Sequence, residues 1–288
     1  MSLSRKLGMK RSKRFHNILY HVLVCLFGFL MIYPLLWMVM SSFKESSSIF
    51  RESYRLIPDT IHFENYINGW KGFGGYTFGV FFSNSFLIAI IATIGAVFSS
   101  AIIAFGFARL HFRGQGFWFS CVMLTMMLPF QVIMIPQFLI FKQLGWVNTI
   151  LPLTVPYFFG QAFFIFQNMQ FIRGIPAEID EAARIDGCTS YGIFLRIILP
   201  LIKPSIVTTA IFSFMWRWDD FFGALLYLNS PAKYTLSIAL KMFSDPSSQS
   251  DWGSMFAMST LSIIPIFLIF LFFQKYLVEG ISTEGLKG

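Results

Sequence analysis

The sequence contains six long stretches that carry almost no charged residues, and these stretches restrict the possible folds more than any other feature. A helix needs about 20 apolar residues to cross the hydrocarbon core of a bilayer, where it satisfies its own backbone hydrogen bonds. The chain is therefore expected to be an all-α membrane protein with six transmembrane helices. The predicted spans are 18–40, a stretch of 71–109 that begins near Phe78, a stretch of 113–142, a stretch of 142–173, 204–228, and a stretch of 251–275.

The composition agrees with a membrane protein, since 56% of the residues are hydrophobic and only 12% are charged. Soluble domains carry about 25% charged residues. The net charge of +8 would also suit a nucleic-acid-binding protein, but the positions of the basic residues argue against that class. Six of the 22 Lys and Arg residues lie within the first 14 positions, directly before the first apolar stretch. Such a cluster follows the positive-inside rule and predicts a basic cytoplasmic tail.

The other basic residues predict the orientation of the chain. With the N-terminus in the cytoplasm, the inner segments hold 14 Lys and Arg residues and the outer segments seven, while Arg217 falls inside a span. This difference predicts that both termini lie in the cytoplasm. The first span is too long for the apolar part of a signal peptide, so it is expected to be retained. The predicted organisation is a tail over 1–15 and a six-helix domain over 16–288, with outer loops at 41–77 and 229–252, an inner insert at 173–203 and an inner C-terminal tail at 279–288.

Small residues recur at every fourth position of the second predicted span. Such a row on one helix face allows another membrane helix to approach closely. The partner is either another helix of this chain or a second subunit, and the sequence favours the first reading while leaving both open. The row consists of Ala92, Ala96, Ser100, Ala104 and Ala108.

The inner insert is predicted to form a short helical hairpin. Residues 177–185 favour a helix, with acidic side chains near its positive N-terminal end, and Gly187 is expected to stop it in the left-handed conformation. Thr189 or Ser190 is expected to cap a second helix that ends before Pro200. Ala182 and Ala183 would keep one side of the first helix thin, and Glu181 and Asp186 would offer carboxylates to a partner. Docking of a soluble protein and simple cover of the inner face are equally compatible with this pattern.

Trp216 to Phe221 forms the second unusual segment, because it places three ionisable residues inside a predicted span. Charged groups at that depth are expensive unless they face a partner or a wet cavity. Arg217 and Asp220 have the spacing of an ion pair, whereas Asp219 points elsewhere. One interpretation is a polar and aromatic wall of a solute pathway, favoured for Asp219; the other is a structural ion pair, favoured for Arg217 with Asp220. The candidate pathway residues are Trp218, Asp219, Asp220, Phe221, Gln131 and Tyr157.

Catalytic and metal-binding motifs are absent from the sequence. Neither the phosphate-binding G-x-x-x-x-G-K-[ST] motif nor HExxH occurs. The histidines and cysteines are scattered, without the spacing of a metal site or a disulfide framework. The chain is therefore expected to have no catalytic residue, no metal site and no cofactor of its own, and not to be an enzyme. The scattered residues are His16, His21, His62, His111, Cys25, Cys121 and Cys188.

The insert resembles a known motif. The order Glu181-Ala182-Ala183, Gly187, Ile197 and Leu199-Pro200 is similar to the EAA loop of binding-protein-dependent ABC importer permeases. Further segments are similar to the carbohydrate branch of that family, and most of all to its maltose-type, six-span subunit. These segments are Asn84-Ser85, 104–114, Leu144-Gly145, Asn148-Thr149 and the tail 280–288.

The resemblance implies a type I (MetI-like) importer fold and a permease for an oligosaccharide in a bacterial plasma membrane. It also implies a second permease subunit, an extracytoplasmic sugar-binding protein that contacts the outer loops, and two cytoplasmic ATPase subunits that bind ATP and Mg. The first insert helix, about 177–186, would sit in a cleft of the ATPase as a coupling helix. The implied coupling residues are Glu178, Glu181, Ala182, Ala183, Asp186, Gly187, Leu199 and Pro200.

The charged segment departs from the family pattern at one position. Trp218 and Phe221 match the common Trp-Asn-Asp/Glu-Phe, whereas Asp219 replaces the Asn. Because of this extra carboxylate, the identity of the transported substrate stays open. A phosphorylated polyol such as glycerol phosphate is the first alternative substrate. An ion-coupled secondary carrier is the alternative from another class, and it would require intramembrane carboxylates in matching halves of the chain.

Overall fold

The computed structural model describes the backbone of residues 3–243 and 251–282, and the side chains of 16–243 and 251–277. Within these ranges the chain is helical, without β-strands, which confirms the predicted all-α fold. The helices are α1 (Leu3–Ser41), α2 (Glu64–Lys71), α3 (Phe78–Arg109), α4 (Gln115–Met127), α5 (Phe130–Gln143), α6 (Leu151–Thr154), α7 (Ala162–Arg173), α8 (Glu178–Ile185), α9 (Ser190–Ile193), α10 (Leu199–Leu201), α11 (Lys203–Trp218), α12 (Phe221–Tyr227), α13 (Leu236–Phe243) and α14 (Trp252–Ser282). Short 3-10 segments lie at Val155–Phe159 and Pro231–Lys233, and a π-helical turn lies at Phe194–Ile198.

Three helices of the described residues are long and apolar enough to cross a bilayer: His16–Ser41, Phe78–Arg109 and Trp252–Leu277. They coincide with the first, second and last predicted spans. Two bent helix pairs are further candidates, α4 with α5 at 104° and Ser190–Leu201 with α11 at 76°. Counting each pair as one span gives five. The six-span count and the orientation of the termini therefore stay predictions.

Helix breaks interrupt the third and fourth predicted spans. Pro129 has an extended backbone and separates α4 from α5, since proline cannot donate the hydrogen bond that would continue a helix. In the fourth span, Gly160 directly follows the 3-10 segment and has a φ of 93°. Glycine adopts this conformation readily, whereas it strains other residues. The helix resumes only at Ala162.

The predicted fifth span, 204–228, is two helices rather than one. α11 ends at Trp218 and α12 begins at Phe221. The carboxylate of Asp220 causes the restart, because it accepts a hydrogen bond from the backbone nitrogen of Gly223 at 2.9 Å and so caps α12. The charged segment therefore lies at a helix break and not within a continuous helix.

The chain separates into two compact units. The first consists of the described parts of 1–70 and 243–261, where the buried amide of Asn65 donates to the carbonyl oxygens of Ser42 and Lys44 at 2.9 and 2.8 Å. The second consists of the described parts of 71–242 and 262–288. The insert and the charged segment both belong to the second unit.

The core of the second unit forms where α3 packs along α7 and α11. Four members of the small-residue row, Ala92, Ala96, Ser100 and Ala104, are completely buried. The hydroxyl of Ser100 accepts a hydrogen bond from the backbone nitrogen of Gln161 at 3.1 Å. These contacts confirm the interpretation that the row serves packing within the chain.

Candidate functional site

The insert folds as the predicted helical hairpin. α8 begins at Glu178 and carries three acidic residues in its first turn, where the helix dipole favours negative charge. Gly187 follows with a φ of 81°, the left-handed conformation that ends the helix. The hydroxyl of Thr189 then accepts a hydrogen bond from the backbone nitrogen of Gly192 at 3.2 Å and caps α9. The two helices are therefore separated by a tight turn.

The second helix of the hairpin does not end before Pro200, so that expectation is wrong. The chain stays helical through α9, the π-helical turn and α10 to Leu201. The π-helical turn at Phe194–Ile198 explains this difference. Pro200 lacks an N–H group, and a π-helical turn directly before it accommodates the missing hydrogen bond without ending the helix.

One side of the hairpin packs against α3 and α7. Ala183 is 7% exposed and belongs to a buried cluster with residues of α3, α7 and the second helix of the hairpin. Ile193 and Ile198 are almost completely buried in the same cluster. The expectation that both alanines form a thin outer side therefore applies only to Ala182, which is exposed, because Ala183 faces the core.

A buried ion pair fixes the first turn of α8 to the end of α3. The side chains of Arg109 and Asp180 are only 10% and 6% exposed, and Nε of Arg109 lies 2.6 Å from Oδ2 of Asp180. The same guanidinium donates from Nη2 to the carbonyl oxygen of Ile175 at 2.6 Å. In the sequence, Arg109 lies in the segment 104–114 and Asp180 in the predicted helix 177–185, and nothing there pairs them, since their proximity depends on tertiary structure.

The other face of the hairpin is open. Ile185, in the last turn of α8, is 87% exposed, and Ile179 is 38% exposed. Two isoleucines thus lie exposed on a short helix that also carries exposed acidic side chains. The remaining predicted coupling residues are also exposed or half-buried. They are Glu178, Glu181, Asp186, Gly187, Leu199 and Pro200.

The predicted ion pair in the charged segment is present. Nη1 of Arg217 lies 3.2 Å from Oδ2 of Asp220, and the same nitrogen donates to the hydroxyl of Tyr157. The guanidinium also lies 4.5 Å from the centre of the Tyr157 ring. The structure therefore brings three of the singled-out residues together in one cluster that joins α11 to the 3-10 segment before α7.

Trp218 is a packing residue in this structure. It is 3% exposed, stacks on Phe214 with ring centres 5.6 Å apart, and donates from its indole nitrogen to the carbonyl oxygen of Ser262 at 3.1 Å. Phe221 is half-buried. A completely buried indole cannot line a pathway without rearrangement.

Asp219 and Gln131 are the exposed candidates for a pathway. Within the described residues the Asp219 carboxylate contacts no hydrogen-bond donor, although it directly precedes the paired Asp220. Gln131 lies in α5, and no described contact joins it to the Arg217 cluster. Among the described residues, no three His, Cys, Asp or Glu side chains come together as metal ligands.

Comparisons with known proteins agree with this geometry. The pattern of the family described as "Binding-protein-dependent transport system inner membrane component" matches residues 96–283. The "Probable ABC transporter permease protein YurM" of Bacillus subtilis (strain 168) is 38% identical over 89% of this chain and 84% of its own length. The "Arabinooligosaccharides transport system permease protein AraQ" of Halalkalibacterium halodurans is 34% identical over 91% of this chain and 93% of its own length.

A solved structure supports the fold. A chain of a bacterial ABC transporter involved in the import of the acidic polysaccharide alginate superposes with a TM-score of 0.79 at 24% identity, covering 92% of this chain and 98% of that one. The resemblance of the insert to the EAA loop is thus one part of a likeness that extends over most of the sequence. The chain belongs to the family of inner membrane components of binding-protein-dependent transport systems.

Proposed function

We propose that this chain is one permease subunit of an ATP-driven importer for an oligosaccharide in a bacterial plasma membrane. It forms half of the translocation pathway together with a second permease subunit. An extracytoplasmic binding protein delivers the sugar, and two ATPase subunits hold ATP and Mg on the cytoplasmic side, where both termini lie. The chain itself hydrolyses nothing. Alternating access follows when the ATPases close and move the hairpins of both permeases.

The exposed face of α8 is the observation that carries the proposal. Ile185 offers an apolar group at the tip of the hairpin, and Glu181 and Ala182 lie on exposed positions of the same short helix. A helix of this size fits a cleft in a partner, where an apolar anchor surrounded by charges gives both affinity and orientation. The resemblance of the hairpin to the EAA loop of ABC importer permeases supports an ATPase subunit as this partner.

The charges of the cluster around Arg217 favour a sugar over a phosphorylated polyol. Asp220 and Tyr157 already occupy the guanidinium of Arg217, so its positive charge is compensated within the chain. Asp219 adds a free negative charge nearby, which disfavours phosphate and suits the hydroxyl groups of a carbohydrate. An ion-coupled carrier is disfavoured because a similar chain is named as an ABC transporter permease, a class that ATP drives.

Reconstitution tests the proposal. The chain is assembled in liposomes with the sister permease, the ATPase and the binding protein of the same importer, and uptake is measured across a panel of labelled disaccharides and oligosaccharides. We expect uptake of at least one sugar with ATP and none with ADP. Glu181→Lys should abolish uptake at an unchanged amount of membrane protein, because it reverses the charge on the exposed face of α8. ATP-independent uptake by the wild type, or wild-type uptake by Glu181→Lys, would contradict the proposal.

A further inference from the structure

We propose that Arg109 and Asp180 are positioning residues that transmit movement between the coupling helix α8 and the membrane-spanning helix α3. The inference rests on the proposed function for the identity of the motor that moves α8. The mechanical link itself is a property of this chain. Without it, α8 could shift under the ATPase while α3 stayed in place.

Two residues of α8 are buried against the rest of the chain. They are Asp180 and Ala183, which lie three positions apart on one face. Ala183 contributes a single methyl group to the buried cluster and so buries little apolar area. The ion pair of Asp180 is therefore the buried polar contact between α8 and α3.

The acids in the first turn of α8 have divided roles. Glu178 and Glu181 are exposed and available to a partner, whereas Asp180 points inward to Arg109. Helix geometry requires this division, because neighbouring residues project in different directions around the axis. The outer acids can be engaged by the ATPase while the inner one keeps its hold on α3.

The guanidinium of Arg109 joins three parts of the second unit. It is the last residue of α3, it pairs with Asp180 of α8, and it donates to the carbonyl of Ile175 in the loop that precedes α8. A planar guanidinium held by one ion contact and one hydrogen bond is restrained in rotation as well as in separation. Both the position and the direction of α8 are thereby set relative to the end of a span of 32 residues.

A buried ion pair suits a link better than it suits a stabiliser. The cost of removing both charges from water offsets much of their attraction, so such pairs contribute little net stability, yet loss of one partner leaves a bare buried charge. Arg109 and Asp180 therefore lose their defined geometry when either is neutralised. The pair therefore fixes the position of α8 relative to α3 and contributes little to the stability of α3 itself.

Distance measurements on the full chain in membranes test the link without any partner. Cys25, Cys121 and Cys188 are replaced by serine, and spin labels are attached at Ile102→Cys on α3 and Ile185→Cys on α8, which are 55% and 87% exposed in the native chain. We expect one narrow distance distribution in the parent and a clearly broader one in Asp180→Asn and in Arg109→Gln. Arg113→Gln, which removes an exposed cation four residues after Arg109, is the matched control and should stay narrow.

The assembled complex gives the second readout, the number of sugar molecules imported per ATP hydrolysed. Asp180→Asn should retain ATP hydrolysis while this ratio falls about tenfold, within the usual range of coupling between two sites. Arg113→Gln should keep the parental ratio. A merely structural role would lower the amount of assembled complex and leave the ratio unchanged.

The double variant Arg109→Gln/Asp180→Asn controls for misfolding of the single variants, because it leaves no unpaired buried charge. The amount of this variant in the membrane should equal that of the parent, and its distribution of spin-label distances should still be broadened. A narrow distribution in the single and double variants, with a parental transport ratio, would overturn the inference. Absence of ATP-driven uptake in the wild-type complex would contradict the proposed function instead, and the distance measurement would still decide the link.

Discussion

Asp219 and Asp220 are adjacent carboxylates with different environments. Asp220 accepts a hydrogen bond from Gly223 and pairs with Arg217, so it is tied to the start of α12 and the end of α11. Asp219 is exposed. One residue therefore holds the helix break together, and its neighbour is free to meet a solute.

Substitution by alanine should separate these two roles. Asp219→Ala should change the apparent KM or the maximal rate for particular sugars at an unchanged protein level, because it removes a group that the chain does not use internally. Asp220→Ala should lower thermal stability by about 1 kcal/mol or more, since it removes a helix cap and leaves Arg217 unpaired.

Uptake kinetics across the sugar panel and a melting curve of the purified chain check both outcomes. Asp219→Asn serves as the matched control, because it keeps the shape and removes only the charge. Identical kinetics of Asp219→Ala for every sugar would assign Asp219 to a structural role.

At the scale of elements, α3 depends on close approach to its neighbours. A Cβ atom built on Gly95 would lie 2.5 Å from Cδ2 and 2.9 Å from Cγ of Phe158, whereas one on Gly106 has open space around it. Both glycines lie in the same helix. The pair thus isolates the effect of packing from that of helix propensity.

Gly95→Ala should destabilise the chain by about 1–3 kcal/mol through overpacking against the 3-10 segment Val155–Phe159. Gly106→Ala should be neutral or stabilise by up to about 1 kcal/mol, because alanine favours the helix. The measurement is the melting temperature of each variant by size-exclusion chromatography after heating. Equal stability of the two variants would contradict the close contact.

Local signals explain what the sequence could predict. Small residues at every fourth position identified the buried face of α3, and Gly187 with Thr189 identified the turn and cap of the hairpin, because each acts through its own backbone. The pair of Arg109 and Asp180 could not be predicted, since it joins segments from different helices. The continuation of the helix through Pro200 was also missed, because a π-helical turn has no distinct sequence pattern.

The helix breaks show a further limit of the sequence. Residues 204–228 are apolar enough to suggest one span, and only the hydrogen bond from Gly223 to Asp220 reveals a restart within it. In the same way, Trp218 looked like a pathway residue by its type and position. Its burial against Phe214 and Ser262 places it in the packing of the second unit.

At the scale of the whole molecule, the proposed function depends on the hairpin and on the outer loop 41–77. The hairpin is expected in the cytoplasm, where Ile185 is open to a motor protein, and the loop 41–77 is expected outside, where Tyr54 is 75% exposed. We propose that the hairpin, and not the outer loop, contacts the ATPase. Contact can be measured directly at these two positions.

A photo-crosslinking amino acid is placed at Ile185 or at Tyr54 in the assembled complex, and the adducts are identified after illumination. We expect an adduct between position 185 and the ATPase subunit, and none between position 54 and that subunit. An Ile185 position that forms no adduct with the ATPase in an active complex, or an ATPase adduct from position 54, would contradict it.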